Sequence, residues 1–405
     1  MKLREVLFFT LLTLLASCSS VIPENNESVY ALEPEIVPIQ KTIDLSPPNP
    51  GKVPYTDIAA ETAGQLDRLF REQYEKSGSV YGMSASIITP EGSVWKSAAG
   101  YMDRGKTKPA TSESMFYSGS TAKLVTSAIV FSLIEDGILS LDDTVVKWLP
   151  EYTALETVTI DDLLSNRSGI VNFILIRKYE EDKTRYWSEK ELIDLALNAQ
   201  GGLLFTPGTA HHYSNTGYVV LGLIAEKSAA ETMSELFEER IVRACGLNRS
   251  FYMTENNSYA GMLDGFDKTG HYITDTHYNA EHPANPHAAG SYCMTPGEWA
   301  RFLHSLLAGE IVSEKTLAMM LSNLALLGED STVETYYGRG IHLLRLNTVN
   351  GTENYIGHNG FLAGHSARLY FRIECGVTVC VASNQDTEID PVLFSLSNFF
   401  LNNRQ

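Results

Sequence analysis

The chain has 405 residues, 44% hydrophobic and 20% charged, enough apolar material for one large domain with an inserted lobe or for two ordinary domains. Its formal net charge of −18 argues against nucleic acid as a partner, because phosphate backbones are bound by clustered cationic side chains.

Lys2 and Arg4 precede an apolar run from Val6 to Leu15, and Leu15-Ala16-Ser17-Cys18 follows. A basic start before an apolar stretch too short to span a bilayer reads as a secretion signal. The four residues have the form of a lipobox. Residues 1–17 are therefore expected to be a lipoprotein signal peptide and Cys18 the lipidation site, which makes a membrane the partner and the bacterial cell envelope the location. Residues 18–55, rich in proline, asparagine and glutamate with little periodicity, are expected to form an extended linker holding a catalytic domain, 56–405, off the membrane.

Residues 56–77 predict a helix, and 81–100 a strand pair around the turn Pro90-Glu91-Gly92. Ser93 and Lys96 fall in that strand region, where side chains three apart face opposite ways. The same spacing recurs at Ser120 and Lys123, heading the run Leu124, Val125, Ala128, Ile129, Phe131, Leu133 and Ile134, which stops at Gly137. That run predicts a helix apolar nearly all round, on which residues three apart share a face. Lys123 can thus approach the Ser120 hydroxyl. A lysine desolvated on such a helix, near its positive end, loses its proton easily, and a neutral amine can take the proton that keeps a serine unreactive. Taken alone, the pair is equally an N-capping serine followed by a snorkelling lysine. Two later motifs decide against that.

Tyr213, Ser214 and Asn215 follow "FTPGTAHH" and precede a predominantly apolar helix predicted from about Tyr218 to Ala229. This reads as a loop poised before a helix. Tyr213 can pass a proton between serine and leaving group, and the Asn215 amide can orient Lys123 while donating to a substrate carbonyl. His271, His277, His282 and His287 crowd the next long loop with Asp275 and Glu281, spaced too irregularly for a metal site, so a polar loop is expected and no metal. Lys268-Thr269-Gly270 is a turn-rich patch unsuited to holding a substrate. His358-Asn359-Gly360 lies instead between the strand-like stretches "ENYIG" and "HSARLYFRI", where Gly360 permits close backbone approach and His358 can supply a proton or a positive charge. Cys245, Cys293, Cys375 and Cys380 show no framework spacing and are expected as buried thiols. Helices and loops fill 120 to about 325, strand patterns return over 337–383, and a last helix runs from Asp390 to Leu401. The terminal strands must then pair across the helical middle, giving an antiparallel sheet flanked by helices plus an inserted all-helical lobe, with the cleft between them.

The three motifs in this order, with "LLSNRSGI" at Leu163 to Ile170 and "AAGSYCMTPGEWARF" at Ala288 to Phe302, resemble the serine β-lactamase and penicillin-binding family. The similarity is to the branch of class C β-lactamases, D-Ala-D-Ala carboxypeptidases and esterases, from about Tyr55 onward. The resemblance implies an α+β, β-lactamase/transpeptidase-like fold, with an α/β lobe of 56–118 plus 330–405 and a helical lobe of 119–329. It implies an acylated nucleophile at Ser120, its base partner at Lys123, an acid/base at Tyr213, substrate or network contacts at Asn215, His358, Asn359, Gly360 and Phe361, and an oxyanion hole from the backbone N–H groups of Ser120 and Phe361. No cofactor is implied. The substrate would be a small molecule or peptide: a cell-wall peptide, an ester or a β-lactam. His358 stands where many β-lactam-cleaving members carry lysine, Asn359 replaces a hydroxyl residue and Phe361 is bulky, which favours a D-peptidase or esterase. The alternative is a penicillin-binding sensor or scaffold that acylates and stalls. The absence of a glycine-x-serine-x-glycine elbow sets aside the unrelated α/β-hydrolases.

Overall fold

The computed structural model describes residues 29–183, 185–199, 201–254, 264–273, 286–349, 351–362 and 364–402. The signal peptide and Cys18 lie outside these, as do His277 and His282.

A ten-stranded sheet organises the chain. Its strands are β2 (Thr42–Ile43), β3 (Thr56–Asp57), β4 (Met83–Ile88), β5 (Ser93–Ala99), β10 (Leu324–Glu329), β11 (Val333–Tyr337), β12 (His342–Thr348), β13 (Gly351–Leu362), β14 (His365–Arg372) and β15 (Val377–Ser383), in the order β2-β10-β11-β12-β13-β14-β15-β4-β5-β3. All neighbours are antiparallel except β3 beside β5. The junction between the two ends of the chain is β15 on β4, from Ser383 opposite Met83 to Thr378 opposite Ile88. These central strands are buried on both faces, which is why they read as near-continuous apolar runs rather than alternating ones. On the outer face Tyr355, Tyr370, Val379 and Val381 pack with Leu66, Phe70, Leu393 and Leu396, contributed by α1 (Ala60–Ser77) and α6 (Asp390–Asn402). On the inner face Ile356, Leu369, Phe371 and Cys380 join a larger core shared with the helical lobe.

That lobe is built on α2 (Ala122–Glu135), buried on every side from Ala122 to Leu133. Around it lie α3 (Glu189–Asn198), α4 (Asn215–Ala229) and α5 (Pro296–Leu307). Each of the last three starts at a hydroxyl cap: Ser188 accepts from Glu191 N, Ser214 from Gly217 N and Thr295 from Glu298 N. A small three-stranded sheet of β6 (Phe116–Tyr117), β8 (Phe251–Tyr252) and β9 (Tyr292–Met294) bridges the lobe to the start of α2.

Three expectations need correction. Thr56 and Asp57 are not helical but pair with Ser93 and Val94, and the helix begins at Ala60; a tertiary partner overrides local propensity there. The strand region resumes at Leu324, inside the stretch assigned to the helical lobe, because Leu324 and Ala325 pair with Ile43 and Thr42. Most consequentially, the presumed linker is docked from Val29 onward. Tyr30 and Ala31 are buried, β1 (Val37–Pro38) pairs with β7 (Ala210–His211), and β2 closes the edge of the main sheet. Low periodicity hid this, since two-residue strands are too short to show a period. The four cysteines from Cys245 to Cys380 are buried and form no disulfide among the described residues.

Candidate active site

Ser120 sits in a 3-10 turn, Gly119–Thr121, that leads directly into α2. The turn fits because Gly119 takes φ +49°, and because a Cβ there would stand 2.7 Å from the Phe361 backbone nitrogen. From the other side, a Cβ on Gly360 would stand 2.0 Å from the Ser118 carbonyl oxygen. Glycine is thus needed on both sides of the contact. Among the described residues the strand edge that meets the turn has no partner strand: β12 begins with His342 opposite Gly357, while His358 to Leu362 pair with β14. Backbone groups of that edge are available to a ligand.

Lys123, one turn along α2, is completely buried. Its Nζ lies 3.4 Å from Ser120 Oγ, 2.6 Å from Asn215 Oδ1 and 3.1 Å from the Ala289 carbonyl. The Tyr213 and Tyr218 rings wall it in, their centroids 4.8 and 5.3 Å away. Burial holds its pKa well below the ordinary lysine value. A neutral amine has two N–H donors and one lone pair; the asparagine and alanine oxygens occupy the donors, which leaves the lone pair for the Ser120 proton.

Tyr213 Oη is buried without a hydrogen-bond partner of ordinary geometry among the described residues. Burial pushes its pKa far up, against the opposing pull of Ser120 beside it, so the hydroxyl keeps its proton. Asn215 is the first residue of α4, not part of the loop before it. Its N–H and that of Ser214 donate to the side chains of Asn172 (3.3 Å) and Asn166 (3.0 Å). Asn166 itself adopts φ +55°, a left-handed conformation that asparagine tolerates. The "LLSNRSGI" stretch, through Asn166, and Asn172 just after it thus hold the turn that presents Tyr213 and Asn215 to Lys123.

His358 joins the same cluster but not as a cation. It is 1% exposed, stacked on His342 at 4.1 Å between centroids, with Tyr337 edge-on at 5.9 Å. Its Nδ1–H donates to the Asn359 carbonyl at 2.5 Å. Burial, and then His342 and Lys123, hold the ring neutral against that hydrogen bond. The expected positive charge is therefore absent, because the ring turns into the protein. Asn359 and Phe361 alternate with it and fall on the face of Tyr355. Asn359 pairs with Arg368, whose guanidinium is bound by Asp390 at 2.7 and 2.9 Å. The structure thus gathers Ser120, Lys123, Tyr213, Asn215, His358, Gly360 and the Phe361 backbone, and leaves the Asn359 side chain on the opposite face. Tyr337, His342 and the Ala289 carbonyl belong to the cluster without having been read from sequence; no local pattern marks them.

The two decoys lie elsewhere. Lys96 on β5 is paired with Glu113 at 2.8 Å, both partly exposed. Lys268-Thr269-Gly270 is a surface turn capped by Asp267, which accepts from Thr269 N at 2.8 Å. Among the described residues no group of histidine, cysteine and carboxylate side chains is arranged to hold a metal ion.

Comparison with known proteins agrees with this architecture. Penicillin-binding protein 4 of Amycolatopsis lactamdurans is 26% identical over 317 residues, 74% of this chain and 80% of its own. D-amino acid amidase from Ochrobactrum anthropi SV3 superposes with a TM-score of 0.71 at 23% identity, over 84% of this chain and 100% of its own. The octameric penicillin-binding protein homologue from Pyrococcus abyssi does so with 0.69 at 25% identity, over 84% and 78%. The family profile described as Beta-lactamase matches residues 66–394. On that match the chain belongs to the Beta-lactamase family and is a serine hydrolase related to the penicillin-binding proteins.

Proposed function

We propose that this chain hydrolyses amide or ester bonds through an acyl-enzyme on Ser120, with D-configured peptides or amides and simple esters as its substrate class. The observation that carries the reading is Lys123, sealed from water with two fixed acceptors and the serine oxygen on its third side. In the proposed cycle the Ser120 proton passes to Lys123 as Oγ attacks the carbonyl carbon. The oxyanion is held by the N–H groups of Ser120 and Phe361, each such donor typically supplying about 3 kcal/mol of barrier lowering. Tyr213 protonates the departing amine or alkoxide and regains its proton from the Lys123 ammonium. Water then repeats the sequence on the ester, which returns Ser120 to its starting state.

The neutral, buried His358 favours substrates that need no fixed cation for a carboxylate, so amides and esters rank above penicillins. The D-configuration is supported by the resemblance to a protein named D-amino acid amidase. The lipobox-like Leu15-Ala16-Ser17-Cys18 supports anchoring at the cell envelope; incorporation of labelled palmitate that survives in a Cys18→Ser variant would dismiss it.

Intact-mass analysis after exposure to D-amino acid amides, D-Ala-D-Ala peptides, short-chain esters and penicillins tests the whole reading. The expected result is an adduct on Ser120, absent in Ser120→Ala, followed by steady turnover. One equivalent of product and no steady state would identify a protein that acylates and stalls.

A further inference from the structure

His287 is the one fully buried imidazole of the histidine-rich loop among the described residues, 4% exposed, and the cycle above makes no use of it. It opens the turn His287–Ala289 in front of β9. Three successive carbonyls of this segment hold the acylating turn and helix. Ala288 O accepts from Thr126 Oγ1 at 2.6 Å, Ala289 O from Lys123 Nζ at 3.1 Å, and Gly290 O from Ser118 Oγ at 2.8 Å. The position of the amine thus depends on the position of this turn.

The turn is held in an unusual conformation. His287 has φ +45°, in the left-handed region that residues bearing a Cβ occupy only where their surroundings over-determine it. Its ring supplies the restraint. Nε2 lies 2.8 Å from the Trp187 carbonyl oxygen, and Nδ1 lies 2.9 Å from Glu189 Oε1 at the start of α3. Burial works to raise the Glu189 carboxyl, but its hydrogen bond and charge contact with His287 leave it below the ordinary value. A carbonyl oxygen only accepts, so Nε2–H donates to Trp187, and the opposite ring nitrogen faces the Glu189 carboxyl group. Glu226 of α4 adds a second negative group in electrostatic contact, and the Tyr186 ring lies edge-on at 5.8 Å.

We propose that His287 is a positioning residue for Lys123: its ring, clasped between Glu189 and the Trp187 carbonyl, fixes the turn whose Ala289 oxygen orients the amine. This rests on Lys123 serving as the base, and the adduct on Ser120 tests that reading separately from the clasp. The full-length protein is assayed with a chromogenic ester for kcat and KM, alongside intact mass. In His287→Leu, kcat should fall about tenfold, as expected for a small displacement of a catalytic group, with KM within about twofold and the adduct still on Ser120. His287→Gln, whose amide nitrogen can donate to both acceptors, should recover most of that loss. Should the leucine variant not fold, Glu189→Ala removes one acceptor and should by itself lower kcat severalfold with KM within about twofold. An unchanged kcat in folded His287→Leu or in folded Glu189→Ala would overturn the proposal. A missing Ser120 adduct would instead sink the reading beneath it.

Discussion

At the scale of single residues, the state of one amine governs the site. Lys123 must be neutral to accept the Ser120 proton, and burial lowers its pKa, so kcat/KM should rise with pH through that lowered value. Lys123→Met should cut the acylation rate on the order of 10³-fold and erase this limb of the profile. The same shift has a stability signature. In the window between the lowered folded value and the ordinary 10.5, the unfolded chain binds a proton that the folded chain does not. Stability therefore rises with pH across it. Thermal midpoints measured at successive pH values should show this rise in the native protein and lose it in Lys123→Met. Gly360 makes a second residue-scale case. A methyl there would collide with the Ser118 carbonyl, forcing β13 away from the nucleophile. Gly360→Ala should keep its circular dichroism yet lose about 10²-fold or more in kcat.

Among elements, the N-terminal strap deserves a functional test, because it reaches the site through one histidine. His212 Nδ1–H donates to the Glu35 carbonyl at 2.8 Å, while its Nε2 accepts from Asn172 N at 3.2 Å. Asn172 in turn accepts from the backbone of Asn215. Removing residues 1–45 should therefore lower the thermal midpoint and also reduce kcat, as Asn172 and the Tyr213 turn lose their support. Full activity in the truncated protein would mean that the strap is mere covering. The same elements show what sequence could reveal. The helix carrying Ser120 and Lys123 was legible because its apolar run is long and closed by a glycine. The strap was not, since β1 and β2 each span two residues and owe their form to partners far along the chain, at Ala210–His211 and Leu324–Ala325.

Across the whole molecule, neutral imidazoles are a recurrent internal material. Burial, as the leading cause, holds His211 at about 3, His304 at about 4 and His342 at about 3, and lowers His212 and His358 as well. Each is neutral when folded and ready to protonate when unfolded. Below the ordinary value of 6.5 the unfolded chain gains protons first, so stability should decline as pH falls from about 6.5 toward those lowered values. Denaturant titrations at pH 7 and pH 5 would check this, and equal unfolding free energies at the two would contradict it. His342→Phe, which keeps the ring stacking on His358 but cannot take a proton, should soften the decline.

What the amino-acid order determined by itself was chemistry and sequence of parts: a serine and a lysine one turn apart on an apolar helix, a tyrosine and asparagine before a second helix, a glycine within a strand, and strands at both ends around a helical middle. Local spacing suffices for these, because helix and strand periods put neighbours in sequence on known faces. Tertiary structure alone decided which way His358 turns, that Asn359 faces away from the nucleophile, and that a carbonyl from Ala289 completes the surroundings of Lys123. Those outcomes depend on which segments pack together, His358 against His342 and Tyr337 and Lys123 against Ala289, where burial and the pairing of polar groups select the arrangement.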